Sequence, residues 1–267
     1  MISLHEIVRQ YPPELQKPEF YDQMVKEYFH HHMLQSLFTG KYSRQIAFLG
    51  GTALRYLYDI QRFSEDLVFD CFGLNRDDFT EMTGKVENDL KDLGYDVRIE
   101  DRARYLELKA FRRVYYFPEL KYRMGISQHK ESKFFIKIEA EPHHFDYTPD
   151  IKTLVGFGIV TPVLATPPGI LLSSKVRAAI QRKKDRDFYD VASLLAFIEP
   201  DFGYLKQKCQ ISGPEALKDA LLAAAATKNL AERSKYDCAH MLFQPTEVNK
   251  IKSFADYIQA FDFKKFE

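Results

Sequence analysis

The sequence lacks the marks of several large protein classes. Its three cysteines, Cys71, Cys209 and Cys238, are odd in number, far apart and form no Cys-x-x-Cys pair. That excludes a disulfide framework or a zinc ribbon and fits a reducing interior. There is no surplus of charge: Lys plus Arg and Asp plus Glu number 38 each. Whole-molecule attraction to nucleic acid is therefore not implied, no DNA partner is expected, and any basic patch must be local. The opening stretch, "MISLHEIVRQYPPELQ", has no basic-then-apolar signal pattern. No uncharged apolar run approaches the ~20 residues of a membrane helix. The expectation is a cytoplasmic protein without a membrane partner. What is there, 45% hydrophobic and 28% charged residues, is ample for a sizeable core.

Periodicity divides the chain in two. "PEFYDQMVKEYFHHHMLQSLF" from Pro18 repeats apolar residues at three and four, an amphipathic helix. "IAFL" reads as a strand, "TALRYLYD" as a helix, "DLVFDCF" as a strand, and "DDFTEMTGKVENDLKDLG" as a helix ended by Gly94. "YDVRIED" and "YLELKAFRRVYYFPEL" are β-rich, and "KFFIKIEAE" alternates apolar and charged residues, a half-buried strand. Strand signals stop near residue 165, after which "PPGILLSSKVRAAIQRKK", "RDFYDVASLLAFI", "PEALKDALLAAAATKN" and "EVNKIKSFADYIQAF" read as helices. The fold class expected is α+β, with a mixed-sheet domain over 1–165 and a helical domain over 166–267.

Gly50-Gly51-Thr52 lies between a strand and a helix, where bare backbone N–H groups at a helix start let a phosphate approach. It is not a P-loop, because no Gly-Lys-Ser/Thr follows. Taken alone, it reads as a tight turn with Thr52 as N-cap. Phosphoryl and nucleotidyl transfer also need carboxylates to hold divalent ions. In a strand, residues i and i+2 point the same way, so Asp66, Val68 and Asp70 share a face. The natural partner of Asp66 is missing at Val68, and Asp70 lies ~6.6 Å further along. In "KFFIKIEAE", Lys137, Glu139 and Glu141 share one face and Ile136, Ile138 and Ala140 the other.

These residues carry a resemblance. "GGTALR", then "RFSEDLVFD", and later "KVRAAIQRKKDRDFYDVASLL" resemble the AbiEii/AbiGii toxin family of the nucleotidyltransferase superfamily, over roughly residues 46 to 198. Members usually read "SEDLDF" where this chain reads "SEDLVF". The resemblance implies a transferase that moves a nucleoside monophosphate from an NTP, with Mg2+ or Mn2+, to an RNA acceptor such as the 3′ end of tRNA, or to a protein. It also implies a cognate antitoxin as partner. It makes Asp66 the first metal ligand and Glu139 a candidate third, and leaves Asp70 to substitute at the position Val68 vacates. Gly50, Gly51, Thr52, Arg55, Ser64 and Lys137 fall to nucleotide binding. The alternative is a weakened nucleotide- or RNA-binding protein on the same frame.

In "SSKVRAAIQRKKDRDFYDVASLL", Lys175, Arg182 and Arg186 share a face if the helix is continuous, with Arg177 and Lys183 broadening the stripe. Asp187 and Asp190 are within i,i+4 reach of Lys183 and Arg186. A solvated, salt-bridged helix is one reading. By the resemblance, Lys175, Arg182 and Arg186 meet the triphosphate and Asp187 completes the site. The histidines at 30–32 point in three directions on a helix, so a structural or surface role is expected rather than metal binding. His143 and His144 follow the Glu139 strand. Arg112, Arg113, Tyr115 and Tyr116 interleave cation and aromatic, a pattern that suits RNA stacking but reads first as a plain hairpin.

Overall fold

The computed structural model describes residues 2–100, 110–233 and 235–266; the start of the expected strand "YLELKAFRRVYYFPEL", residues 105–109, lies outside them. The chain divides into two compact units: Met1–Asp59 with Phe63–Thr166, and Ile60–Arg62 with Pro167–Glu267. Three residues between the first unit's segments thus belong to the second.

The first unit is built on a mixed sheet, seven-stranded among the described residues. Its strands are β1 (Ile46–Leu49), β2 (Asp66–Cys71), β3 (Arg98–Glu100), β4 (Phe111–Tyr116), β5 (Phe135–Glu141), β6 (Asp150–Gly156) and β7 (Ile159–Ala165), in the order β3-β4-β5-β2-β1-β7-β6. β2 is parallel to β5, and β1 is antiparallel to β2 and parallel to β7. The alternation in β5 is realised: Ile136, Ile138 and Ala140 are fully buried while Lys137 and Glu139 are half-buried. In β2, Leu67 and Phe69 are likewise buried, and Asp66 and Val68 half-buried. The sheet therefore has one face committed to the core.

That core face meets helices α1 (Leu4–Val8), α2 (Tyr21–Phe38), α3 (Gly50–Leu57) and α4 (Arg76–Asp92), with a short α5 (Leu120–Arg123) following β4. Rings interlock between layers, Phe29 with Phe117 at 4.4 Å and Phe48 with Phe69 at 5.6 Å. α2, expected to be amphipathic, is instead buried on most sides, including Glu27, His30 and His31. His30 is satisfied by Tyr56 Oη at 2.9 Å and the Glu65 carbonyl at 3.1 Å, and burial lowers its pKa to about 3. α4 opens on an Asn75–Asp78 capping box, and Gly94 follows it with φ +87°.

The second unit contains α6 (Pro168–Gln181), α7 (Asp185–Leu194), α8 (Phe202–Cys209), α9 (Pro214–Lys228), α10 (Asn249–Lys252) and α11 (Phe254–Ala260). The run expected as one helix through residues 175–186 breaks, because Lys183 sits in the left-handed region at φ +52°. The last expected helix likewise splits into a 3₁₀ turn, α10 and α11. Among the described residues, no helix is long and apolar enough to cross a membrane.

Candidate active site

β1 delivers the chain to Gly50, whose φ of +83° only glycine adopts readily. A Cβ there would come within 3.2 Å of the Val68 Cβ on β2, so the position excludes a side chain on two independent grounds. α3 starts at Gly50 with no side-chain cap, leaving first-turn N–H groups without helical acceptors. Thr52 is not the N-cap. It is fully buried, and its hydroxyl donates to the Asp66 carbonyl at 2.6 Å and the Ser64 hydroxyl at 3.0 Å. Thr52 and Ser64 thereby fix the start of β2, and with it Asp66. Arg55 pairs with buried Glu27 at 3.0 Å and with Asp59 at 3.5 Å, and Tyr11 donates to the same Glu27 at 2.8 Å.

Across the parallel β2–β5 pair, Asp66 lies in register with Lys137, Val68 with Glu139, and Asp70 with Glu141. The Lys137 ammonium donates to Asp66 Oδ2 at 2.8 Å and stands 3.2 Å from Glu139 Oε1. Burial opposes its charge, but Asp66 and Glu139 outweigh that and raise its pKa. Arg112, from β4, reaches the same Glu139 oxygen at 2.8 Å. The sequence singled Arg112 out only as part of a stacking pattern. Its β4–β5 register opposite Glu139 depends on pairing that the sequence alone does not disclose.

Asp70 has a different environment. It is 1% exposed, and its oxygens accept from the His143 backbone N–H and the Tyr147 hydroxyl, each at 2.8 Å. Its carboxylate is thus spent on holding the β5–β6 connection. Asp66 and Glu139, by contrast, already converge on one cation. Such a pair fits a Mg2+ ion whose other positions come from phosphate and water. Among the described residues, no group of three or more His, Cys, Asp or Glu is gathered as a metal site.

In the helical unit, the segment "RDFYD" forms the inner face of α7. Asp185, Asp187 and Asp190 are all fully buried. Asp190 is gripped in bidentate fashion by Arg62, both bonds 2.7 Å, and by Lys175 at 2.8 Å. Burial works against its ionisation, yet Arg62 and Lys175 prevail and hold its pKa at about 2. Arg182 takes Asp187 at 2.7 Å, and Arg233 pairs with Asp185. The i,i+4 partners expected, Lys183 and Arg186, are not the ones used for these two carboxylates, since the break at Lys183 turns Arg182 toward Asp187. Lys175 and Arg182 thus spend their charge inside the unit. Arg186 is half-buried, on the same helix.

A mixed sheet whose first strand ends in a glycine turn, with a carboxylate–lysine–carboxylate cluster on the neighbouring strands, is the frame of solved nucleotidyltransferases. The chain is similar to MenT4, a nucleotidyltransferase toxin from Mycobacterium tuberculosis H37Rv, with TM-score 0.61 and 14% identity over 99% of this chain and 92% of that one. It is also similar to JHP933 from Helicobacter pylori, with TM-score 0.50 and 16% identity over 91% of this chain and 93% of that one. A putative nucleotidyltransferase from H. pylori matches equally, with TM-score 0.50 and 16% identity over 91% and 95%. Among curated proteins, none matches the sequence. The chain belongs to the nucleotidyl transferase AbiEii toxin family of type IV toxin–antitoxin systems, whose profile matches residues 32–260. It is a transferase of that class.

Proposed function

We propose that this chain transfers a nucleoside monophosphate from an NTP to an acceptor hydroxyl, and that Asp66, Glu139 and Lys137 carry the reaction. The observation that supports this most is the Lys137 ammonium between the two carboxylates, 2.8 and 3.2 Å away, on strands flanking the glycine turn. In this reading the N–H groups of Gly50 and Gly51 receive phosphate oxygens. Asp66 and Glu139 hold a divalent ion, Mg2+ or Mn2+. When bound, that ion bridges phosphate oxygens and offsets the charge of the leaving pyrophosphate. Lys137, released from the carboxylates, neutralises the triphosphate, and Arg112 keeps Glu139 oriented. Thr52 and Ser64 position Asp66 through the backbone. Asp70, Lys175, Arg182 and Asp187 serve structure, Arg55 likewise, and no step is assigned to Arg186. The acceptor is an RNA, tRNA in the first instance, and a cognate antitoxin restrains the activity in the cell.

Val68 favours a second reading, a binding protein with weakened chemistry. An aspartate at 68 would stand in register with Glu139 and complete a three-carboxylate set. The test is transfer of label from each α-labelled NTP to total tRNA in Mg2+, with Asp66→Ala and Val68→Asp alongside. Transfer by the parent protein that Asp66→Ala lowers at least ~100-fold, about 2.7 kcal/mol, supports the enzyme. A silent parent with an active Val68→Asp variant supports the second reading. Silence from both, with no NTP binding, overturns the site.

A further inference from the structure

The face of the sheet that carries Asp66, Lys137 and Glu139 continues outward past β5. In register, Lys137 stands opposite Val114, and two residues on, Phe135 pairs with Tyr116 and Tyr116 with Arg98. Residues at such two-residue steps share a face, so this row lies one pleat repeat, ~6.6 Å, from the Lys137 row. Phe135 is 46% exposed, unusual for a phenylalanine on a sheet. Beside it opens a cavity of about 720 Å³, lined among others by Arg98, Tyr116, Tyr122, His129 and Lys130. Tyr122 is 44% exposed, and the Lys130 ammonium stands 5.4 Å from its ring centre.

The chemistry of this cavity is uneven for a chain of zero net charge. Residues 119–133 hold four Lys or Arg and one His against two Glu. Its rim includes Glu119, a non-glycine residue at φ +53°, a conformation that the surroundings must enforce. The Arg98 guanidinium lies loosely by Asp96, at 3.6 Å, with its side chain 69% exposed. Exposed aromatic faces alternating with cations in an open trough suit successive bases and phosphates of a single strand. A small molecule would want more enclosure, and an aliphatic peptide would find few apolar side chains.

We infer that the trough between β3–β4, α5 and residues 128–131 binds single-stranded nucleic acid, with bases on Tyr122 and Tyr116 and phosphates at Arg98 and Lys130. Its meaning, that the strand is the acceptor's unpaired end, rests on the transfer reading above; the binding itself does not. The half of the Arg112–Tyr116 pattern that faces this way is Arg112 and Tyr116. Tyr115 is buried and its hydroxyl donates to the Thr83 carbonyl at 2.7 Å.

The experiment is fluorescence anisotropy of labelled eight-nucleotide single strands, RNA and DNA of one sequence, on the full chain at two salt concentrations. The parent binds, and more weakly at higher salt. Tyr122→Ala and the pair Arg98→Ala with Lys130→Ala each weaken binding about tenfold or more, with thermal midpoints near the parent's. If RNA binds better than DNA, a ribose hydroxyl is read as well; equal binding assigns the site to stacking and charge, and either result supports it. No binding of any single strand overturns the inference, as does binding that these variants leave untouched. So does label transfer to a protein while no nucleic acid is bound. NTP binding by the parent is measured in the same buffer: its loss would strike at the transfer reading and not at this trough.

Discussion

At the scale of single residues, the site depends on a glycine more than on any charged group. Gly50 must bend to a positive φ and must also leave room for Val68, whose Cβ would meet a side chain at 3.2 Å. Gly50→Ala therefore costs about 2 kcal/mol or more, from the left-handed backbone and the overpacking together. A lowered urea midpoint with an unchanged m-value is the expected result, and an unshifted midpoint would show that the turn relaxes freely. The same contact explains how the chain accommodates valine where an ion-holding carboxylate is expected. Val68 is packed against the turn, so its apolar side chain has a structural use independent of catalysis.

At the scale of elements, α7 is held by buried charge. The Asp190 pKa of about 2 lies below the ordinary 3.8, so its ion pairs stabilise the fold fully above about pH 4. That contribution, on the order of 2 kcal/mol, is lost as pH falls from there toward 2. Unfolding of α7 followed by circular dichroism should show this acid loss, and Asp190→Asn should remove the pH dependence while lowering stability at neutral pH. The sequence made some of these elements plain and hid others for identifiable reasons. β2 and β5 were legible because each alternates apolar and charged residues over a short run, which also placed Asp66, Lys137 and Glu139 on one face each. The break at Lys183 was not, since a Lys-Lys run favours helix and the left-handed residue carries no glycine to announce it. The charge stripe on that segment was visible, but not its burial: Arg62 and Asp190 are 128 residues apart, and no local pattern links them. The burial of Asp70 depends in the same way on Tyr147, far along the chain.

At the scale of the whole molecule, the division of the chain is not a single cut. Ile60–Arg62 belongs to the helical unit although the sheet unit lies on both sides of it in sequence. Arg62→Ala should accordingly be felt among the helices: it leaves buried Asp190 to Lys175 alone, at a cost of about 3–5 kcal/mol. Hydrogen exchange would show it as faster exchange across α6 and α7 with smaller change in β2 and β5. Equal acceleration in both units would contradict that assignment.

The same three residues bear on how such a gene is inherited. A recombination event anywhere between codons 62 and 167 would hand the incoming helices a foreign residue 62, and a shuffled C-terminal half would arrive without the arginine its aspartate needs. Among descendants of this chain, positions 62 and 190 are expected to be exchanged as a couple or not at all. The helical half is therefore not a free cassette, and lineages that trade it must trade a small piece of the other half with it.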